Sequence, residues 1–156
     1  ALFLSACGFT PMHAPQLAGG DLAFKNIRVD LVEPEDIAHD RGAFHVQQAL
    51  YDRLGTTGNK HVLSISPEFT RAGLGLSARD VATRYDIKIK MPYELTDAKT
   101  GDVLDKGTIS ALTTFGAPID PYGREASEQT ATENIARDAA DRLLIRLAAY
   151  YSNAEK

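Results

Sequence analysis

Cys7 is the only cysteine among 156 residues, and its setting is unusual for a free thiol. It closes the segment Leu4-Ser5-Ala6-Cys7, directly behind the apolar run Ala1-Leu2-Phe3-Leu4. A lone cysteine in a soluble domain is ordinarily a small buried core residue. Leucine, a small residue and alanine ahead of a cysteine form instead the pattern cut by the bacterial lipoprotein-processing machinery. Cleavage before Cys7 would leave a diacylglyceryl thioether on its sulfur and a new N-terminus open to acylation, for instance by palmitate. Residues 1–7 then read as the remnant of a lipoprotein signal peptide, with Cys7 the lipid attachment site. The run is too short to span a bilayer, which takes about 20 apolar residues. The expectation is a chain anchored to a membrane and not threaded through it.

Other chemically capable residues lack the company that chemistry requires. His13, His39, His45 and His61 show no metal-ligand spacing. His39 and His45, six residues apart, would fall on different faces of a helix and read as surface histidines. Gly73-Leu74-Gly75 resembles a piece of a phosphate-binding loop, but no helix with the required glycine spacing follows, so it reads as a loop tip. Glu33, Glu35 and Asp36 lie in a proline-bearing turn with no base or nucleophile beside them. The stretch from Asp97 to Asp102, DAKTGD, lacks calcium-loop spacing and supplies hairpin-turn residues. No serine sits in a nucleophile-elbow context. Neither a catalytic residue nor a metal ligand is expected, and no enzyme. With Cys7 taken by lipid, a disulfide or a cysteine metal site is excluded as well. The covalent diacylglycerol and N-acyl chain at Cys7 are the only non-protein groups anticipated.

The net charge of -4 argues against general nucleic-acid binding, which selects a broadly basic surface. The charge is unevenly spread. Residues 71–90 hold Arg71, Arg79, Arg84, Lys88 and Lys90 against only Asp80 and Asp86. An anionic partner would meet this segment, because arginine and lysine form strong charge-assisted hydrogen bonds to phosphate oxygens. The plainer alternative is a solvated strand face, partly neutralised by Asp86 and Glu94.

The elements that must position these residues follow from hydrophobic periodicity. Gly8, Pro11, Pro15, Gly19 and Gly20 make residues 8–22 a tether. Residues 23–152 read as one domain, with enough apolar content, 44% of the whole chain, to bury a core. Ile27, Val29 and Leu31 alternate with Arg28 and Asp30 in a first strand over 24–32. Val46, Ala49, Leu50 and Leu54 form one stripe of a helix over 43–54, stopped by Gly55 and Gly58. A second strand, 61–70, carries Leu63, Ile65, Pro67 and Phe69 at alternate positions. Residues 71–80 read as a loop. From Val81 to Leu95 every odd position is apolar, aromatic or threonine, and the even ones include Arg84, Asp86, Lys88, Lys90 and Glu94. That is a long strand with a dry face and a charged one. A further strand over 103–115 and a helix over about 126–151, with Ser127 as its candidate cap, complete the chain. The expected fold is α+β: a two-layer sandwich with a mixed sheet of about four strands and both helices on one face, in the order β-α-β-β-β-α.

These features converge on one family. The stretches LSACGFTPM, ATRYDIKIKMPYELTDAKTGDVLDKG and ASEQTATENIARDAADRLLIRLAAYY, in that order, resemble the lipopolysaccharide-assembly lipoprotein family LptE in its alphaproteobacterial form. The resemblance implies a lipoprotein anchored at the periplasmic leaflet of the outer membrane. It implies a domain that plugs the β-barrel translocon LptD, assists that barrel's assembly and binds lipopolysaccharide during export. Arg71, Arg79, Arg84, Lys88 and Lys90 are the candidate lipopolysaccharide contacts, on charge patterning alone. The competing reading is an auxiliary lipoprotein of an ABC-type lipid transport system.

Overall fold

The computed structural model describes residues 26–32, 41–76 and 82–154. Its elements are β1 (Ile27–Leu31), α1 (Arg41–Leu54), β2 (His61–Ile65), β3 (Glu68–Leu76), β4 (Ala82–Asp97), β5 (Val103–Gly116) and α2 (Pro121–Ala154).

β4 organises the sheet. Its 16 residues pair antiparallel with β5 along nearly their whole length on one side. On its other side, β3 pairs antiparallel with residues from Ala82 to Lys90, and β2 with residues from Tyr93 to Asp97. β1 then pairs in parallel with β2, Ile27 opposite His61 and Leu31 opposite Ile65. β2 and β3 thus lie end to end on one side of β4, so the expected strand over 61–70 is two. Pro67, which has no N–H to give to a ladder, stands at the break, while the Ser66 N–H still reaches the Pro92 carbonyl at 3.1 Å. The sheet has five strands, against the four or so expected, and its last three form an antiparallel meander.

Two further expectations need correction. Residues 71–76, read as part of a loop because of Gly73 and Gly75, continue β3 in register with β4. The closing helix starts at Pro121 and not near 126, and its cap is Asp120 and not Ser127. The Asp120 carboxylate accepts the Gly123 N–H at 2.8 Å, with Pro121 at the first helical position, where its missing N–H costs nothing.

One face of the sheet is dry. Ile27 and Val29 of β1, Leu63 and Ile65 of β2, Ile87, Ile89, Met91, Tyr93 and Leu95 of β4, and Ala111 and Phe115 of β5 are all buried. Both helices cover this face. Val46, Leu50 and Leu54 come from α1; Ile135, Leu143 and Leu147 come from α2, with Ala131, Ala136, Ala139 and Ala140 between them. The alanines give α2 a narrow flank that neighbours can approach closely. Each fully buried leucine or isoleucine contributes about 1.5–3 kcal/mol. The outer surfaces of the helices are joined by the ion pairs Arg41 with Glu125 at 3.3 Å and Arg53 with Asp141, and between them the His45 Nε2 lies 4.0 Å from a Glu133 carboxylate oxygen. The pairs advance in the same order along both helices, so α1 and α2 run parallel.

Two glycines are required by geometry. Gly101 adopts φ +77° in the β4–β5 turn, where the Asp97 carboxylate accepts the Lys99 and Thr100 N–H groups at 2.8 and 3.1 Å. Gly58 lies against the backbone of Ile27, where a Cβ would collide with main-chain atoms.

Candidate functional site

Alternation along β4 sends Arg84, Lys88 and Lys90 to the face of the sheet that no described helix covers, and all three are exposed. The cross-strand register sets their neighbours. Arg84 stands between Leu74 and Gly116, Lys88 between Thr70 and Leu112, and Lys90 between Glu68 and Ser110. Leu74 and Leu112 are 40% and 61% exposed, so apolar side chains sit in solvent beside the cations. Lys88 and Lys90, two residues apart, are separated by about 6.6 Å along the strand, a spacing over which both can reach one phosphate.

Carboxylates share this face, Glu68 opposite Lys90 and Asp86 between Arg84 and Lys88 along β4, but they form no ion pair with the cluster. Asp30 accepts from Arg28 at 3.0 Å on β1, and Asp86 accepts the Thr114 hydroxyl at 2.5 Å. Among the described residues Arg84, Lys88 and Lys90 have no carboxylate at ion-pair distance. Three cations without an ion-pair partner among the described residues, interleaved with exposed leucines, suit an anionic amphiphile: phosphate for the charges, hydrocarbon for the leucines.

Arg71 does not join them. It is the register partner of Ile87, and directly opposed residues share a face, so it lies on the helix side of the sheet. Its guanidinium donates to both oxygens of Glu128 on α2 at 2.6 Å and lies 4.3 Å above the centre of the Tyr85 ring. Tyr85 in turn stacks on Phe115 of β5, ring centres 5.6 Å apart. The Glu128 carboxylate holds the Arg71 guanidinium even more firmly protonated than usual. Arg71 clasps the sheet to α2 and its charge is spent inside the molecule. Arg79 and Cys7 lie outside the described residues, as do His13, His39, Glu33, Glu35 and Asp36.

The periodic pattern also passed over two polar clusters. The Tyr93 hydroxyl donates to Asp105 at 2.9 Å and accepts from Arg146 of α2 at 3.2 Å, which ties β4, β5 and α2 together. At the opposite end of the sheet from Arg84, His61 is only 8% exposed, and its Nδ1 lies 2.7 Å from the Tyr151 hydroxyl of α2. Burial pushes the Tyr151 phenol up to about 12 and lowers the His61 imidazole below its ordinary value, the latter with help from Lys60. The parity of β2 carried the signal for His61, which shares the inward positions of Leu63 and Ile65. No group of histidines, cysteines and carboxylates among the described residues could hold a metal ion. None of the described helices is long and apolar enough to cross a membrane.

Comparison with known proteins agrees with this architecture. Residues 24–147 match the family model LptE, described as lipopolysaccharide-assembly. No curated protein matches significantly. Among solved structures, a protein from Caulobacter crescentus CB15 described as a lipoprotein superposes with a TM-score of 0.70 at 23% identity, over 88% of this chain and 98% of its own. The rare lipoprotein B of Shewanella oneidensis gives 0.57 at 15% identity, covering 83% of this chain and 99% of that one. A minor lipoprotein from Acinetobacter baumannii gives 0.55 at 13% identity, with 81% and 92% covered. At these identities the structural likeness establishes the shared fold and nothing finer.

Proposed function

Because this chain belongs to the lipopolysaccharide-assembly family LptE, we propose that it is an outer-membrane lipoprotein that binds lipopolysaccharide and plugs the β-barrel translocon LptD. In this reading Cys7 carries the acyl chains and holds the domain at the periplasmic leaflet. The domain assists assembly of the barrel and then stays inside it. It performs no reaction; its work is to bind, fill and guide.

The observation that carries lipid binding is the open face of β4. Arg84, Lys88 and Lys90 offer charge to the phosphates of lipid A, and Leu74 and Leu112 offer apolar surface to its acyl region. Arg71 is removed from the set of candidate contacts, since Glu128 and the Tyr85 ring already engage it. The plug role is supported by the build of the domain, a rigid two-layer body whose outward face is charged and suited to a polar lumen.

The test is charge reversal. Changing Arg84, Lys88 and Lys90 together to Glu should weaken lipopolysaccharide binding by several kcal/mol, since each hydrogen bond to a charged group contributes about 1.5–3 kcal/mol. Equilibrium binding of purified protein to lipopolysaccharide measures it, with circular dichroism as the check on folding. Unchanged binding would strip these residues of the assigned contact. Recovery of LptD with the tagged wild-type chain from detergent-solubilised envelopes tests the barrel partnership separately.

A further inference from the structure

β5 forms one margin of the sheet, and among the described residues it pairs only with β4. Just beyond its end, the Ala117 N–H donates to the Thr83 carbonyl at 2.9 Å. Main-chain groups of an antiparallel strand alternate in direction, so the odd positions of β5 point at β4 and the even ones from Lys106 to Gly116 point out of the sheet. Lys106, Thr108, Ser110, Leu112, Thr114 and Gly116 are all exposed. From Gly107 to Gly116 there is neither a charge nor a proline, and Thr108, Ile109, Thr113, Thr114 and Phe115 favour extended structure. A long, uncharged edge of this kind is a template for another strand. The opposite margin is better defended: β1 is short and carries Arg28 and Asp30, and β3 carries Glu68 and Arg71.

One side chain obstructs the β5 edge. Arg142 of α2 reaches over it, and its Nη1 donates to the Ser110 carbonyl at 3.2 Å, within the uncharged stretch. Asp138, one turn earlier, accepts from the Arg142 Nε at 3.0 Å and so aims the guanidinium. We propose that the outer edge of β5 is a strand-pairing surface for a second copy of this chain, and that Arg142 holds it closed.

The occupant follows from self-complementarity. Two copies of β5 laid antiparallel, Ser110 opposite Ser110, place Thr108 opposite Leu112 and Lys106 opposite Thr114. The Thr114 hydroxyl donates to Asp86, so the Lys106 ammonium of each copy comes toward the Asp86 carboxylate of the other. No two like charges of β5 face each other along this seam, and Leu112, 61% exposed in the single chain, is covered. The same twofold relation makes Arg142 an effective block. Its guanidinium stands where the second strand must lie, and on an axis through Ser110 two guanidiniums would meet. The single chain is thereby the resting state, and displacing Arg142 releases the edge. Because the contact is the same on both copies, pairing closes at two chains. The proposal is independent of lipopolysaccharide binding and of the barrel.

The experiment measures the mass of the full chain in a maltoside detergent, by size-exclusion chromatography with light scattering over a concentration series. The wild type is expected at the mass of one chain. Arg142→Ala and Arg142→Gln should each double that mass as concentration rises, while Arg142→Lys, which keeps a cation over the edge, should stay single. Arg142 is exposed, so these variants should fold, and circular dichroism verifies it. Ser110→Pro locates the contact. The Ser110 N–H points away from β4, so proline there removes no bond of the existing ladder but denies one to a second strand. Arg142→Ala combined with Ser110→Pro should therefore return to one chain. Hydrogen exchange of the paired Arg142→Ala chain should show the Thr108, Ser110 and Leu112 amides newly protected. A wild type that already pairs, neutral variants that stay single at every concentration, pairing that survives Ser110→Pro, or growth beyond two chains would each overturn the proposal.

Discussion

Burial and the neighbouring Lys60 ammonium disfavour the charged form of His61, and Asp97 only partly compensates. The groups around it are Lys60 just ahead of its own strand, Asp97 on β4, and Tyr150 and Tyr151 on α2. The unfolded chain takes up a proton on this histidine near pH 6.5, whereas the folded chain resists until lower pH. Below about pH 6.5 the unfolded state therefore holds more protons, and stability falls with falling pH. Above that value the contribution is fully present. Thermal unfolding followed from pH 8 to pH 5 should show a larger loss of Tm for the wild type than for His61→Gln. Equal losses in the two chains would assign the titration to other groups. At this scale the sequence was partly legible. Parity alone sent Arg84, Lys88 and Lys90 outward, since alternation is a property of the extended backbone. Arg71 shares the odd parity of Leu63, Ile65 and Phe69, yet its side of the sheet could be read only by knowing that the strand runs on past it.

Elements were legible where one period persisted. β4 and the middle of α2 carry a single period for many residues, and the structure places both as expected. The misses fall where glycine and proline override periodicity. GAPIDPYG looks like a loop, although an aspartate before a proline is also how a helix begins. Because Asp120 accepts the Gly123 N–H, Asp120→Ala should destabilise the domain by about 1 kcal/mol. Asp120→Asn should recover most of it. Urea denaturation measures both, and an unchanged midpoint for the alanine variant would mean that the first turn of α2 adds nothing to global stability. Likewise Gly73 and Gly75 hid the far half of β3, which is held extended by its pairing with β4, Gly73 opposite Tyr85 and Leu76 opposite Ala82. No local pattern announces such a partner.

For the whole molecule, the two-layer α+β sandwich with both helices on one face followed from element order and amphipathicity, because a sheet with one dry face must be covered. The fifth strand, the end-to-end arrangement of β2 and β3, and the contact of His61 with Tyr151 did not, because each depends on how distant elements meet. The membrane attachment also belongs to this scale. A single lipid-modified cysteine is the proposed hold on the bilayer, and none of the described helices could span it. Cys7→Ala should move the protein from the membrane to the soluble periplasmic fraction in cells depleted of LptD, as fractionation would show. Retention of the variant in membranes under that depletion would refute the anchor.

The length of β4 has a consequence for how such a protein could stand at its membrane. Sixteen residues at about 3.3 Å each run for roughly 50 Å, while the hydrocarbon layer of a bilayer is about 30 Å thick. Asn26 and the hairpin turn lie at one end of that strand, and Arg84 lies near the other. In the proposed plug, a domain held upright with its Asn26 end at the periplasmic leaflet would carry Arg84 past the far boundary of the hydrocarbon. Lys88 and Lys90 would follow about 13 and 20 Å below it, and in that proposed arrangement one strand would measure out a path from the periplasmic side of the membrane to the cell exterior.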